Sequence, residues 1–274
     1  MDKLNLDQIH NLIYKAAEYF SLYCQKKNFQ YFAIAGTLLG AVREKGIIPW
    51  DLDADFGMSR KDFQHFVNAQ DFDNEYFELM YWKKSPKFPV NIARIMMKKT
   101  SLCGQEEFVH GVDERMFIDI FVYDDLPDLP QEIARTRKKI RKLHRLIDLK
   151  LTSFESRPLG NRIIHTLIKF VLLPLPAKKL HQSFDKASQK YFGRQNDLVY
   201  FPSGYFCLTK DKKAWYPKGV FDKLIQLPFG PITVACPAEY DKCLRILYGD
   251  DYMTPKNRGD SMEGYSADLS FWKI

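Results

Sequence analysis

"AGTLLGAVREKGIIPWDLDADFGM", residues 35–58, places Asp51, Asp53 and Asp55 at strict alternation beside a short glycine turn. Just upstream, "YFAIA" (31–35) reads as a short buried strand that runs into Gly36-Thr37 as a strand-to-helix turn. "LLGAV" continues as a short helix, and Gly46 with Pro49 in "EKGIIPW" marks the next turn. "DADFGM" (53–58) alternates charged and apolar residues, the pattern of a half-buried strand. On such a strand residues i and i+2 share a face about 6–7 Å apart, so Asp53 and Asp55 point the same way. Two ionised carboxylates at that spacing raise each other's pKa unless a cation sits between them. An isolated Asp-x-Asp is most often a solvated face, so its meaning depends on what converges on it.

Two further features point to the same place. "MFIDIFVYDDLPD" (116–128) is a strand with Asp119 between Ile118 and Ile120, and Asp124-Asp125 starts its exit turn. A buried strand aspartate is costly unless backbone donors, an arginine or a metal satisfy it. If this strand neighbours 53–58, three carboxylates meet. The Gly36 turn lets a phosphate approach the backbone, the helix that follows favours negative charge at its start, and Thr37 offers a hydroxyl. Mg²⁺ binds a few carboxylate oxygens together with waters and phosphates, and Mn²⁺ is the alternative ion. Metal and phosphate in one place point to two-metal phosphoryl or nucleotidyl transfer.

The 274 residues are 46% hydrophobic and 15% aromatic, ample for a core and against disorder. A formal net charge of +7 favours an anionic partner. The cysteines Cys24, Cys103, Cys207, Cys236 and Cys243 are odd in number with no C-x-x-C, which argues for free thiols in a reducing compartment and against a disulfide framework or zinc ribbon. The N-terminal "MDKLNLDQIHNLIYK" has no signal-peptide apolar core, and the longest apolar stretch, "IIHTLIKFVLLPLP" (163–176), is shorter than the roughly 20 residues a span needs. The expectation is a cytoplasmic protein, peripheral at most at the inner face of the cell membrane.

Helical periodicity appears over 7–26, capped by Asn5 or Asp7, and after Ser59, where Ser59-x-x-Asp62 resembles a capping box. Strands are expected at 76–81 and 90–97, helices at 131–154, 161–173, 177–192 and 238–249, and short strands and turns in the Pro- and aromatic-rich 215–237. The order predicts an α+β fold: a mixed sheet with flanking helices and a helical insertion. It reads as a single catalytic domain, 1–274, with a core at 1–129, a helical basic block at 130–193 and a C-terminal mixed segment, 194–274, completing the site.

"GTLLGAVREKGIIPWDLDADFGM" resembles the signature of the LicD family of phosphocholine transferases, which also holds the fukutin-type transferases. "ARIMMKKTSL" (93–102), "FIDIFVYDDLP" (117–127) and the block 215–255 are similar to later parts of that family, in order. The resemblance implies a nucleotidyltransferase-like, polymerase-beta-type fold. It implies transfer of a phosphate ester from a CDP-activated donor, CDP-choline, to a hydroxyl of a glycan or teichoic-acid precursor that is lipid-linked, with release of CMP. By the motif, Gly36 and Thr37 are the phosphate turn, Asp53 and Asp55 the metal pair and Asp119 the third carboxylate. The chain departs from the family at Leu52, which interrupts an aspartate triplet, and in a C-terminal tail without histidine. Arg43, Arg94 and Lys98 are candidates for phosphate charge. Trp50, Trp82, Trp215 and Tyr216 are candidates for a choline cage, because a quaternary ammonium binds over aromatic faces, although for any single one a place in the core is the more ordinary reading.

"RTRKKIRKLHRLIDLK" (135–150) carries eight Lys/Arg and one acid with its apolar residues on one stripe. This basic amphipathic helix, within 131–154, reads either as a solvated face or as a contact for an anionic polymer or membrane leaflet, with Arg137, Lys138 and Arg141 as its test residues. No motif for nucleic acid is present. Three other functions stay open: transfer from a CDP-polyol, true nucleotidyl transfer, and an inactive fold that only binds an anionic polymer.

Overall fold

In the computed structural model, which describes residues 1–103, 115–151, 159–194, 197–200, 215–255 and 264–273, local signals set most element boundaries. A short strand β1 (Asp2–Lys3) leads into α1 (Leu6–Lys27). Asn5 Oδ1 accepts from Gln8 N at 2.9 Å while Gln8 Oε1 accepts from Asn5 N, and left-handed Asn28 ends the helix. Its buried stripe of Ile9, Leu12, Ile13, Ala16 and Phe20 packs on the sheet.

The sheet is built from β2 (Phe32–Ala33), β3 (Asp55–Ser59), β4 (Phe77–Met80), β5 (Ala93–Met97) and β7 (Phe117–Asp125), in the order β2-β3-β7-β5-β4. Only β3 and β7 run parallel; the other neighbours are antiparallel. Between β2 and β3 lies α2 (Ala35–Arg43), and after β3 comes α3 (Arg60–Val67), whose N-cap Ser59 accepts from Asp62 N. Gly57 in the middle of β3 allows close packing: a Cβ there would lie 2.5 Å from the Phe32 ring and 2.8 Å from the Tyr123 ring. The architecture is thus mixed α and β, as the element order predicts. A separate sheet, β1–β12–β6 with β6 (Thr100–Cys103) and β12 (Gly264–Ala267), joins the two ends of the chain. Neither β1 nor β12 carries a strand signal in the sequence, because at two and four residues both are too short to show alternation.

The helical block consists of α4 (Pro130–Leu151), α5 (Leu159–Val171) and α6 (Ala177–Ser188). Residues 152–154 of the expected basic helix, and Cys207, lie outside the described residues. Ile133, Ile140, Ile147 and Leu151 of α4 meet Leu180 and Phe184 of α6 in a second hydrophobic cluster, distinct from the main core. Short strands β8 (Leu198–Tyr200) and β9 (Trp215–Pro217) extend β7, and the hairpin β10 (Leu224–Phe229) to β11 (Ile232–Pro237) precedes α7 (Tyr240–Tyr248) and the short α8 (Leu269–Trp272). Cys24, Cys236 and Cys243 are buried free thiols.

A buried polar network ties the block to the sheet. Arg60 of α3 grips Asp124 of β7 through two bonds, Nε to Oδ1 at 2.7 Å and Nη2 to Oδ2 at 2.5 Å. Asp185 of α6 lies 3.9 Å from Arg60 and accepts from Tyr81 and Trp82. Asp124 is therefore the end of β7 locked to α3, and Asp125, bonded to Lys218 at 2.7 Å and to Gly193 N, closes the strand. Neither begins a solvent-facing turn, because the strand continues through both residues before leaving the sheet. Removing one member of a buried ion pair leaves the other charge unpaired. Asp124→Ala is expected to lose about 3–5 kcal/mol of unfolding free energy in urea denaturation; a loss under about 1 kcal/mol would mean Arg60 finds another acceptor.

Candidate active site

The site follows from strand register. Asp55 opens β3 and pairs with Asp119 on β7; Asp119 in turn pairs with Arg94 on β5. Directly paired residues on neighbouring strands project to one face, so Asp55, Asp119 and Arg94 form a row. Asp119 N donates to Ala54 O at 2.9 Å. Asp53 lies in the segment before β3, two residues short of the strand, rather than inside a strand beginning at 53. The strand starts late because the N–H of Asp55 is taken by Thr37 Oγ1 at 2.7 Å instead of by a neighbouring strand.

That bond defines what Thr37 does. Its buried hydroxyl accepts from Asp55, fixing the start of β3 against the first turn of α2. Ile34 N donates to Asp55 O at 3.2 Å, closing the same junction. Ala35 sits at φ +46°, a left-handed backbone that a residue with a Cβ seldom adopts. Gly36 makes room for a carboxylate: its missing Cβ would lie 2.6 Å from Asp51 Oδ2. α2 has no side-chain cap and no acid in its first turn, so the partial positive charge of its N-terminus acts on Asp51. His10 Nε2 holds Asp51 O at 2.9 Å, a contact across 41 residues for which the sequence held no local signal.

Electrostatics joins the four aspartates into one group. Burial, then the charge and hydrogen bond of Asp51, push the Asp53 carboxyl up to about 7, with Arg94 opposing. Burial and the charges of Asp53, Asp119 and Asp51 hold Asp55 well above the usual carboxylate range. Asp119 is also raised by burial, while Arg94 pulls it down. Arg94 Nε donates to Asp119 Oδ1 at 2.8 Å, and its guanidinium lies 3.7 Å over the Phe117 ring. One arginine thus faces several acids.

Among the described residues no group of three or more His, Cys, Asp or Glu side chains is placed so that it could hold a metal ion as it stands. The donor chemistry nevertheless fits a hard divalent cation: adjacent carboxylates whose like charges Arg94 offsets only in part. Mg²⁺ takes one or two carboxylates and completes its shell with water and phosphate, so these residues suit an ion that arrives with a phosphorylated substrate.

The other candidates are placed elsewhere. Arg43 ends α2, about 12 Å along the axis from its start, bonded to Glu44 at 2.6 Å and to Tyr252 O at 3.2 Å. Lys98 lies beyond the far end of β5 and donates to Asn74 O at 2.6 Å. Trp82 and Tyr216 are buried core residues, Trp82 stacked on His181 and bonded to Asp185, Tyr216 packed on Tyr123 and Phe221. Trp215 is level with Asp124 through Tyr200, about 16 Å along β7 from Asp119. Aromatic identity in the sequence does not separate a cage from a core; register does. Trp50 alone of these aromatics is exposed beside the cluster, one residue before Asp51. A cavity of about 220 Å³ lies at the opposite ends of β3 and β7, lined by Ser59, Arg60, Tyr123, Asp125 and Lys218, with both of its cations already paired.

Residues 28–127, which hold every member of the cluster, match the family model described as "LicD/FKTN/FKRP, nucleotidyltransferase domain". The chain is 29% identical over 263 residues to the lipopolysaccharide cholinephosphotransferase LicD of Haemophilus influenzae, covering 93% of this chain and 94% of that one. It is also 52% identical over 105 residues to an uncharacterized protein of Rickettsia prowazekii, 38% of this chain and 35% of that one. A further uncharacterized protein, from Rickettsia typhi, is 34% identical over 106 residues, 29% of its length.

A carboxyl whose folded pKa is raised favours folding below its unfolded pKa of about 4 and loses that contribution as pH rises through the folded value. For Asp53 the loss is complete above about 7. Asp53→Asn should therefore stabilise the metal-free protein by about 1 kcal/mol at pH 8 and by little at pH 4, read from urea midpoints. Destabilisation at pH 8 would show that the charge is compensated.

Proposed function

The chain belongs to the LicD family, and from that premise we propose that it transfers phosphocholine from CDP-choline to a hydroxyl of a cell-surface glycan precursor, releasing CMP. The observation that carries this reading is the register of Asp55 with Asp119 on the parallel strands, with Asp53 beside them and the α2 N-terminus opposite. We read the sheet as nucleotidyltransferase-like, in the polymerase-beta manner, because its acidic residues sit on adjacent strands beside a helix start. The acceptor class follows the Haemophilus influenzae relative, a lipopolysaccharide cholinephosphotransferase; a teichoic-acid precursor is the other glycan of this kind, and either would be presented on a lipid carrier.

Asp53, Asp55 and Asp119 would hold Mg²⁺, or Mn²⁺ in its place. Bound there, the cation would neutralise charge on the pyrophosphate and help the leaving phosphate depart. The remaining steps belong to the chain. Backbone N–H groups at Gly36 and Thr37 face the donor phosphates at the start of α2. Arg94 holds Asp119 by Oδ1, and Oδ2 has no protein hydrogen-bond partner among the described residues. Asp119 Oδ2 takes the proton of the acceptor hydroxyl as that oxygen bonds to the phosphorus next to choline. The bond from this phosphorus to the bridging oxygen breaks, and its electron pair leaves on CMP. Trp50 is the aromatic face for the choline cation.

Purified protein should release CMP from CDP-choline only with a divalent cation, and Asp55→Ala should lower the rate at least about 100-fold. Faster release from CDP-ribitol or CDP-glycerol than from CDP-choline would move the head group to a polyol. Nucleotide incorporation into the acceptor would make the enzyme a nucleotidyltransferase. No CMP release from any donor, with anionic polymer still bound, would leave a binding protein. Trp50→Ala should raise KM for CDP-choline about tenfold while leaving KM for CDP-glycerol unchanged; equal effects on both donors would remove Trp50 from the head-group site.

A further inference from the structure

Helix α5 faces the wrong way for a soluble protein. Its residues Ile163, Ile164, Leu167, Phe170 and Val171 follow helical spacing and are all exposed, continued by Leu173; Phe170 is 73% and Val171 74% accessible. Scattered exposed hydrophobics are ordinary, but a surface helix normally turns its apolar stripe inward. The less exposed positions are instead His165, Ile168 and Lys169 on α5 and Leu172 just after it. The helix is anchored in this pose by Lys150 of α4, whose Nζ donates to Leu172 O at 2.8 Å.

The surroundings identify what covers the stripe. Residues 159–176 contain no Asp or Glu. The helix that α5 packs on, α4, exposes Arg135, Lys138, Lys139, Lys142 and Arg145, while Arg137 and Arg141 are half-buried. Lys178 and Lys179 add two exposed cations at the start of α6. An apolar strip flanked by cations matches acyl chains below anionic headgroups. A second copy fits less well, because it would bring two basic rims together. At 13 residues α5 is about 20 Å long, too short to cross a bilayer, and no helix among the described residues is long and apolar enough to do so. Pro174 and Pro176 end it.

We propose that α5 lies flat in the headgroup–acyl boundary of an anionic membrane, with Ile163, Ile164, Leu167, Phe170, Val171 and Leu173 in the lipid and the α4 and α6 cations on the headgroups. The insertion element is thus α5, and the basic helix supplies steering and salt-sensitive attraction. The inference is independent of the donor chemistry, and CMP release from soluble CDP-choline reads that chemistry separately.

The test is co-sedimentation of the full chain with vesicles of phosphatidylcholine, with or without phosphatidylglycerol. The wild type should bind the anionic vesicles at least about tenfold more tightly than the neutral ones, less so at high salt. Leu167→Glu/Phe170→Glu should lose at least about tenfold in that binding, and Lys138→Glu/Lys142→Glu a smaller factor that vanishes in neutral vesicles. These positions are exposed, so the circular dichroism spectrum and thermal midpoint should stay as in the wild type, and CMP release in solution should be unchanged. Failure of the wild type to bind anionic vesicles would overturn the proposal. So would vesicle binding unaffected by Leu167→Glu/Phe170→Glu, or a concentration-dependent dimer that this variant abolishes while vesicle binding persists.

Discussion

The parallel pairing of β3 with β7 is the constraint on which the rest depends. It sets Asp55 beside Asp119 in a region where burial already disfavours their charge. A one-residue shift of that register would turn Asp119 to the other face and separate the acids. The fold holds the register from both sides, through the Asp119 N–H to Ala54 O bond and the Thr37 hydroxyl that takes the Asp55 N–H. Gly57, with no room for a Cβ between Phe32 and Tyr123, keeps β3 seated on its neighbours. The acid cluster gathers like charges that burial disfavours, and under the proposed function that repulsion is what a cation and a pyrophosphate would relieve.

The elements around this centre divide the work. The first turn of α2 supplies positive potential, and Gly36 lets Asp51 reach it. Arg94, placed over the Phe117 ring, bonds Asp119 of the cluster and so offsets part of its charge. The Arg60–Asp124–Asp185 network sits at the other end of the same two strands and fastens the helical block to them. The acid cluster and the point of attachment are thus separated along β7, at Asp119 and at Asp124. The block carries the outward apolar stripe of α5 and the cations of α4, so the surface proposed to meet lipid is attached through that network to the sheet that bears the carboxylates.

Much of this was legible in the chain. Asn5 with Gln8 and Ser59 with Asp62 announce helix starts because capping chemistry is local. The alternation through Asp53 and Asp55, and Asp119 between isoleucines, nominated the acids, since like charges in apolar settings need a reason. The eight cations within 135–150 showed a basic face for the same cause. Arg94, nominated for phosphate, is bonded to Asp119, while Arg43 and Lys98 hold carbonyls elsewhere. Trp82 and Tyr216 are core, and Trp215 belongs to the Asp124 end of the sheet.

By itself the sequence determined which residues could do chemistry and where helices begin, because residue type, caps and periodicity act over a few positions. Only the tertiary structure decided which of them meet. Thr37 and Asp55 are 18 residues apart, His10 and Asp51 41, and Asp55 and Asp119 further still. Those contacts are fixed by strand register and close packing, which depend on the whole chain burying one core, and no local pattern encodes them. The same holds for α5: periodicity showed an apolar stripe, and only the packing of α4 and α6 on each other showed that it faces outward.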